Sequence, residues 1–144
     1  MFTPLNLPQA PLRISKKENQ YYVTCLIRKK KIVLTPEEWV RQHLIYYLVH
    51  SKGFAIGRIG VEVSLQVNGL AKRADVVYYD HSLQPTHIIE CKAPMIELSA
   101  ETVFQIATYN SKLKAKYLIV SNGIDHFIYE NRNSSIIPLN DLPE

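Results

Sequence analysis

The chain has 144 residues, 47% of them hydrophobic and 21% charged, which is ordinary for one soluble globular domain with a real core. Its net charge of +4 and pI near 9.0 give a mild tilt towards polyanionic partners and no more. No apolar run approaches a membrane span, and Met1-Phe2-Thr3-Pro4-Leu5 lacks the basic start and apolar run of a secretory leader. Cys25 and Cys91 have neither metal-ligand spacing nor the numbers for a disulfide framework, so reduced thiols and a cytoplasmic location are expected.

Residues 1–10, with Pro4 and Pro8, read as an irregular lead-in. Short strands are expected over residues 12–14, 21–27 and 32–34, the first two separated by the polar turn Ser15 to Gln20. The basic tetrad Arg28-Lys29-Lys30-Lys31 reads as a solvated turn ahead of a phosphate-binding element. Thr35-Pro36-Glu37-Glu38 then starts a helix: a capping hydroxyl, proline at the first helical position, and acids against the dipole. It should run to about Ser51, with Gly53 as the stop. Val40, Leu44, Tyr47 and Leu48 form its apolar stripe, which would include Glu37 and leave Glu38 outside. Glu37 is then either a dipole-stabilising acid or a third carboxylate aimed at a metal.

Val61 to Val67 alternates strictly, as a half-buried strand does, and Asn68-Gly69 turns it. Glu62 is expected on the polar face with Ser64 and Gln66, as a solvated position or a partner for Arg73, ahead of any metal role. Arg73 to Asp80 and His87 to Lys92 read as antiparallel neighbours, since the connection between them is short and Pro85 interrupts it. Along the second, Glu90 and Lys92 share a face and Cys91 points the other way. If the pairing brings Asp75 beside Glu90, two carboxylates and an ammonium converge. Such acids repel unless a cation lies between them, which makes this a candidate magnesium site. The Glu-x-Lys triplet alone decides nothing, because nine Glu and eleven Lys give ~0.7 such triplets by chance.

Ser99 caps an expected helix from about Ala100 to Leu113, in which Gln105 and Tyr109 meet at i, i+4. Their plain reading is a helix-surface pair packing on the sheet. Tyr117 to Val120 suits the middle of a sheet covered on both faces. His126 to Tyr129 reads as the last strand, and residues 131–144 as a polar tail with one apolar clip, Ile136-Ile137. The five histidines show no zinc spacing, and neither a glycine-rich phosphate loop nor a nucleophile elbow is present.

This order, an α/β chain of helix, three strands, helix and strand, resembles the PD-(D/E)XK nuclease superfamily. The segments carrying the likeness are Pro36 to Gln42, Lys72-Arg73-Ala74-Asp75, Ile89 to Pro94, Gln105-Ile106-Ala107 with Tyr109-Asn110, and Ala115 to Gly123. They look like the N-terminal nuclease domain of type I restriction enzyme R proteins, in its small stand-alone form. The resemblance covers roughly residues 36–130 and departs at Ala74, where the superfamily's eponymous proline is missing. It implies a restriction-endonuclease-like core (a mixed sheet flanked by helices) with an added N-terminal β-hairpin layer over residues 1–35, all in one domain. It implies Mg2+, or Mn2+ in its place, held by Asp75, Glu90 and the Cys91 backbone carbonyl, with Glu37 as a further candidate ligand. Lys92 would position water and stabilise charge, and Gln105 and Tyr109 would orient the site or hold DNA. The implied reaction is DNA hydrolysis to a 5′-phosphate and a 3′-hydroxyl. The implied partners are DNA and other restriction or repair subunits, with the oligomeric state open, a dimer included. The chain cannot hold the helicase motor of a full R subunit. A DNA-binding module that cuts only within a complex, or not at all, stays open as an alternative. So does an α/β interaction domain in which Asp75, Glu90 and Lys92 form a salt-bridge cluster.

Overall fold

A computed structural model describes residues 2–133 and 135–142. The N-terminal segment forms three antiparallel strands, β1 (Ile14–Lys17), β2 (Gln20–Thr24) and β3 (Lys31–Val33). Glu18 and Asn19 both take positive φ, the conformation a two-residue hairpin turn requires. Helix α1 (Pro36–His50) follows, capped by Thr35 Oγ1, which accepts from the Glu38 amide at 3.0 Å.

The main sheet has six strands in the order β4 (Ile59–Val67), β5 (Leu70–Tyr79), β6 (Pro85–Cys91), β7 (Tyr117–Ser121), β8 (His126–Arg132) and β9 (Ser135–Leu139). Its pairs are antiparallel except β6 with β7, which run parallel. Parallel neighbours need a crossover, and helix α2 (Ala100–Asn110), capped by Ser99, supplies it. The fold is therefore a mixed α/β one with a mixed sheet and two helices.

The two helices cover opposite faces of the sheet. Val40, Leu44, Ile45 and Leu48 of α1 pack on Val76, Ile89, Cys91 and Ile119. Val103 and Ala107 of α2 pack on Val77, Ile88, Leu118 and Val120. The inner strands β6 and β7 thus bury alternate residues on both sides, as the apolar run of β7 predicts. The small sheet covers the outer side of α1, where Trp39 meets Val23 and Leu34.

Three expectations change. The first strand is Ile14–Lys17, so Ser15 to Lys17 pair with β2 instead of turning, and Leu26 and Ile27 lie beyond the end of β2 at Thr24. Residues 135–139 form an edge strand on β8, and Leu142 reaches the core, where a polar tail was expected. Pro138 does not prevent this, because an edge strand leaves one row of amides unpaired. In α1 the acids exchange roles: Glu38 is buried and Glu37 is exposed. A helix packed on two sheets buries more than one stripe, so its apolar stripe no longer tells which side is wet.

His87 on β6 lies 7% exposed among Phe54, Tyr78 and Tyr117, its Nε2 without a hydrogen-bond partner. Burial, with Lys116 nearby, lowers its pKa from 6.5 to about 4. A histidine held neutral in the fold supplies stability above its ordinary pKa and loses it as pH falls through the folded value. Between 6.5 and about 4 the parent should lose ~2–3 kcal/mol that a His87→Phe variant does not lose. Urea midpoints across that window measure the difference, and parallel slopes for the two proteins would refute it.

Candidate active site

The site lies where the sheet breaks its own alternation. On β5, Val76 packs towards α1, yet Ala74, two residues earlier, packs towards α2. On β4, Val61 and Val63 divide the same way. Residues two apart on a regular strand share a face, so both strands reverse phase at the row holding Glu62 and Asp75. Glu62 carries the device that does it, a φ of +50°, a left-handed conformation uncommon outside glycine. The β4–β5 pairs Val61↔Val76 and Val63↔Ala74 flank this row, and the β5–β6 register, ending at Val76↔Ile89, brings Asp75 level with Glu90.

The break turns Asp75 and Glu62 into a polar cavity of about 350 Å³, shared with Arg28, Thr35, Glu37, Glu38, Arg41 and Cys91. Asp75 Oδ2 accepts the Cys91 amide at 2.7 Å. Burial raises the Asp75 pKa above 3.8 despite this bond and Arg41, with Glu90 adding to the rise. Glu90 goes the other way. Burial would raise it, but Lys72 Nζ at 2.8 Å, Asn110 Nδ2 at 3.2 Å and Lys92 hold it below its ordinary value. Lys92 Nζ lies 3.3 Å from Glu90 Oε1.

Behind Asp75 stands a charged network. Arg41 is paired through both Nε and Nη2 with the Glu38 carboxylate, its Nη2 also reaches Glu62 at 3.4 Å, and its Nη1 lies 3.5 Å from the Asp75 carbonyl. Burial opposes the guanidinium charge, and the Glu38 bonds outweigh it, so the Arg41 pKa is raised. Glu62 also pairs with Arg28 at 2.9 Å and with Arg73 at 3.0 Å, the second as the sequence suggested. It faces the cavity, however, and not open solvent beside Ser64 and Gln66.

Asp75 and Glu90 thus stand level on adjacent strands and Lys92 pairs with Glu90, while Glu37 lines the cavity of Asp75, whose described lining includes neither Glu90 nor Lys92. Gln105 is exposed and its side chain makes no hydrogen bond among the described residues. Tyr109 is exposed too, but stands beside the site through Lys72, whose Nζ lies 5.3 Å from its ring. Sequence reasoning missed Lys72, Asn110, Arg41 and Glu38 as site residues. Asn110 resembles an ordinary helix-end residue, although it is 1% exposed and reaches Glu90.

A family model described as the type I restriction enzyme R protein N terminus matches residues 36–143, three quarters of the chain. The chain belongs to that family. No curated protein matches the sequence. The family segment runs from the first residue of α1 to beyond β9 and so contains Asp75, Glu90, Lys92, Gln105 and Tyr109. It leaves out β1 to β3, and with them Arg28.

Among the described residues no group of three or more His, Cys, Asp or Glu side chains is gathered as a metal cage. Magnesium does not need one, since one or two carboxylates suffice when water and substrate phosphate complete the octahedron. The raised pKa of Asp75 marks a carboxylate whose charge a nearby cation would stabilise.

Proposed function

We propose that this protein is a magnesium-dependent deoxyribonuclease, a restriction-endonuclease-like PD-(D/E)XK domain hydrolysing DNA phosphodiester bonds. The observation carrying this reading is the break at Asp75, which sets one buried, poorly compensated carboxylate level with a second. Membership of the R-protein family supports DNA as substrate and other restriction subunits as partners. Asp75, Glu90 and the Cys91 carbonyl would hold the ion, with Glu37 reaching it directly or through water. When bound, the ion supplies Lewis acidity to the scissile phosphate and makes its water a stronger nucleophile at neutral pH.

The chain's own residues do the rest. Lys72 and Asn110 fix the Glu90 carboxylate, so its orientation is set before substrate arrives. Lys92, on the same carboxylate, offers an ammonium for the attacking water and for charge building on the phosphate. Arg41, on the Asp75 carbonyl, holds the strand break in place. Tyr109 and Gln105 face outward on α2, where they would meet the DNA backbone.

The test is incubation of the pure protein with labelled DNA in magnesium, in manganese and in chelator. Cleavage should require the metal, and Lys92→Ala should lower it by about a hundredfold, on the scale of one preorganised charge-stabilising donor. Cleavage in chelator, or an unimpaired Lys92→Ala protein, would overturn the reading.

A further inference from the structure

The cations that touch the candidate carboxylates are matched by acids, but a second basic cluster among the described residues is not. Lys112, Lys114 and Lys116 stand on the turn leaving α2, alternating with Leu113 and Ala115, which are 4% and 1% exposed. The two apolar residues plug into the core under α2, so the three ammonium groups are turned outward. Asn131 of β8 fixes the turn: its Nδ2 donates to the Ser111 and Ala115 carbonyls at 3.0 and 3.2 Å, and its amide to the Lys116 carbonyl at 2.8 Å. Lys114 is held at φ +63°. The three lysines border a concavity of about 710 Å³ whose remaining lining is hydroxyl, amide and methyl, with no carboxylate. None of the three has an ion-pair partner among the described residues. The neighbouring Glu130 is paired with Arg132 at 3.0 Å. From this concavity a path leads back to the site: Lys112 Nζ lies 5.9 Å from the Tyr109 ring, on which Lys72 also sits, and Lys72 holds Glu90.

We propose that the Lys112–Lys114–Lys116 concavity is a phosphate-binding subsite for the DNA strand flanking the cleaved bond, with the exposed Tyr109 ring between it and Glu90. Cations gathered on a backbone fixed in advance lose little freedom on meeting a polyanion, and each phosphate contact releases condensed counterions. An acid-free lining leaves that gain unopposed. This rests on the nuclease reading, since it is the position of Glu90 that makes the strand a substrate.

The experiment measures binding and cleavage separately. Binding of a labelled oligodeoxynucleotide, single-stranded and duplex, is followed in chelator against salt for three proteins. These are the parent, the triple variant Lys112→Gln/Lys114→Gln/Lys116→Gln, and a control, Lys16→Gln/Lys17→Gln/Lys30→Gln, with the same charge loss in the N-terminal segment. The first triple variant should bind at least tenfold more weakly at low salt. Its slope of log K against log salt should shrink by about 2–3, the share of three phosphate contacts, while the control keeps most of the parent's slope. With magnesium, the first triple variant should show a raised KM and a kcat near the parent's. Equal slopes for parent and first variant, or an equal loss in the control, would overturn the subsite, even if Asp75-dependent cleavage is intact. If no protein cleaves but the slopes differ as stated, the nuclease reading fails and the phosphate subsite stands.

Discussion

Asp75→Asn should abolish cleavage, by about a thousandfold or more (~4 kcal/mol), yet leave the metal-free protein as stable as the parent or more stable. The amide keeps the shape of the carboxylate and can still accept the Cys91 N–H that Oδ2 accepts at 2.7 Å. What it removes is a buried charge that the fold disfavours. An acid whose folded pKa lies above its ordinary 3.8 holds its proton more tightly in the fold. Stability therefore falls as pH rises from 3.8 through the raised value, and a residue that cannot ionise escapes that loss. Magnesium should raise the melting temperature of the parent by mass action and leave the variant nearly unmoved. A salt-bridge cluster gives the opposite sign: the same replacement would leave a cation unmatched and cost up to ~3–5 kcal/mol when burial is complete. Thermal melts of both proteins, in chelator and in magnesium, decide between the two. A large loss in chelator, together with no magnesium shift in the parent, would sink the metal reading.

The largest loss of stability is expected one helix away. Glu38→Ala strips the buried Arg41 guanidinium of its principal partner, with side chains only 6% and 10% exposed in that pair. It also frees the Gln42 amide that donates to Glu38 Oε2 at 2.7 Å. Leaving one member of a buried pair unmatched costs about 3–5 kcal/mol, against ~0.5 kcal/mol or less for Glu37→Ala at the exposed neighbour. Replacing both members, Glu38→Met with Arg41→Met, should recover part of the loss, because an apolar pair leaves no buried guanidinium unmatched. Urea unfolding of the four proteins checks the order. A Glu38→Ala loss no larger than that of Glu37→Ala would show the pair to be solvated in solution.

Much of this was legible in the residues, and the misses share a cause. Thr35, Ser99 and Asn68-Gly69 act locally, through hydroxyls and backbone angles, so the helix starts and the β4–β5 turn could be read from short windows. Asp75 and Glu90 could be set level because a short connection fixes an antiparallel register. The Glu37–Glu38 exchange could not be seen, because it depends on a second sheet lying over α1. Nor could the reversal at Glu62, since a positive φ in a glutamate leaves no mark on composition or period. The contact of Asn110 with Glu90 could not be seen for a similar reason. Which side of α2 meets the sheet is set by Val103 and Ala107 in the core, and that phase carries Asn110 inward and Gln105 out.

The sheet over α1 has a consequence for where this protein can be cut. Trp39 donates its indole N–H to the Thr3 carbonyl at 2.8 Å, Gln42 Oε1 takes the Leu26 amide at 2.9 Å, and Thr35 caps the helix. All three partners precede residue 36, where the recognisable family segment begins. A fragment trimmed to that segment would begin with an uncapped helix, an indole open to water and a glutamine oxygen without the Leu26 amide. It would keep every acid of the candidate site and lose the cover that holds their helix in place. The border of kinship and the border of self-sufficient folding fall in different places, and excision at the first would yield a sticky, weakly folded piece.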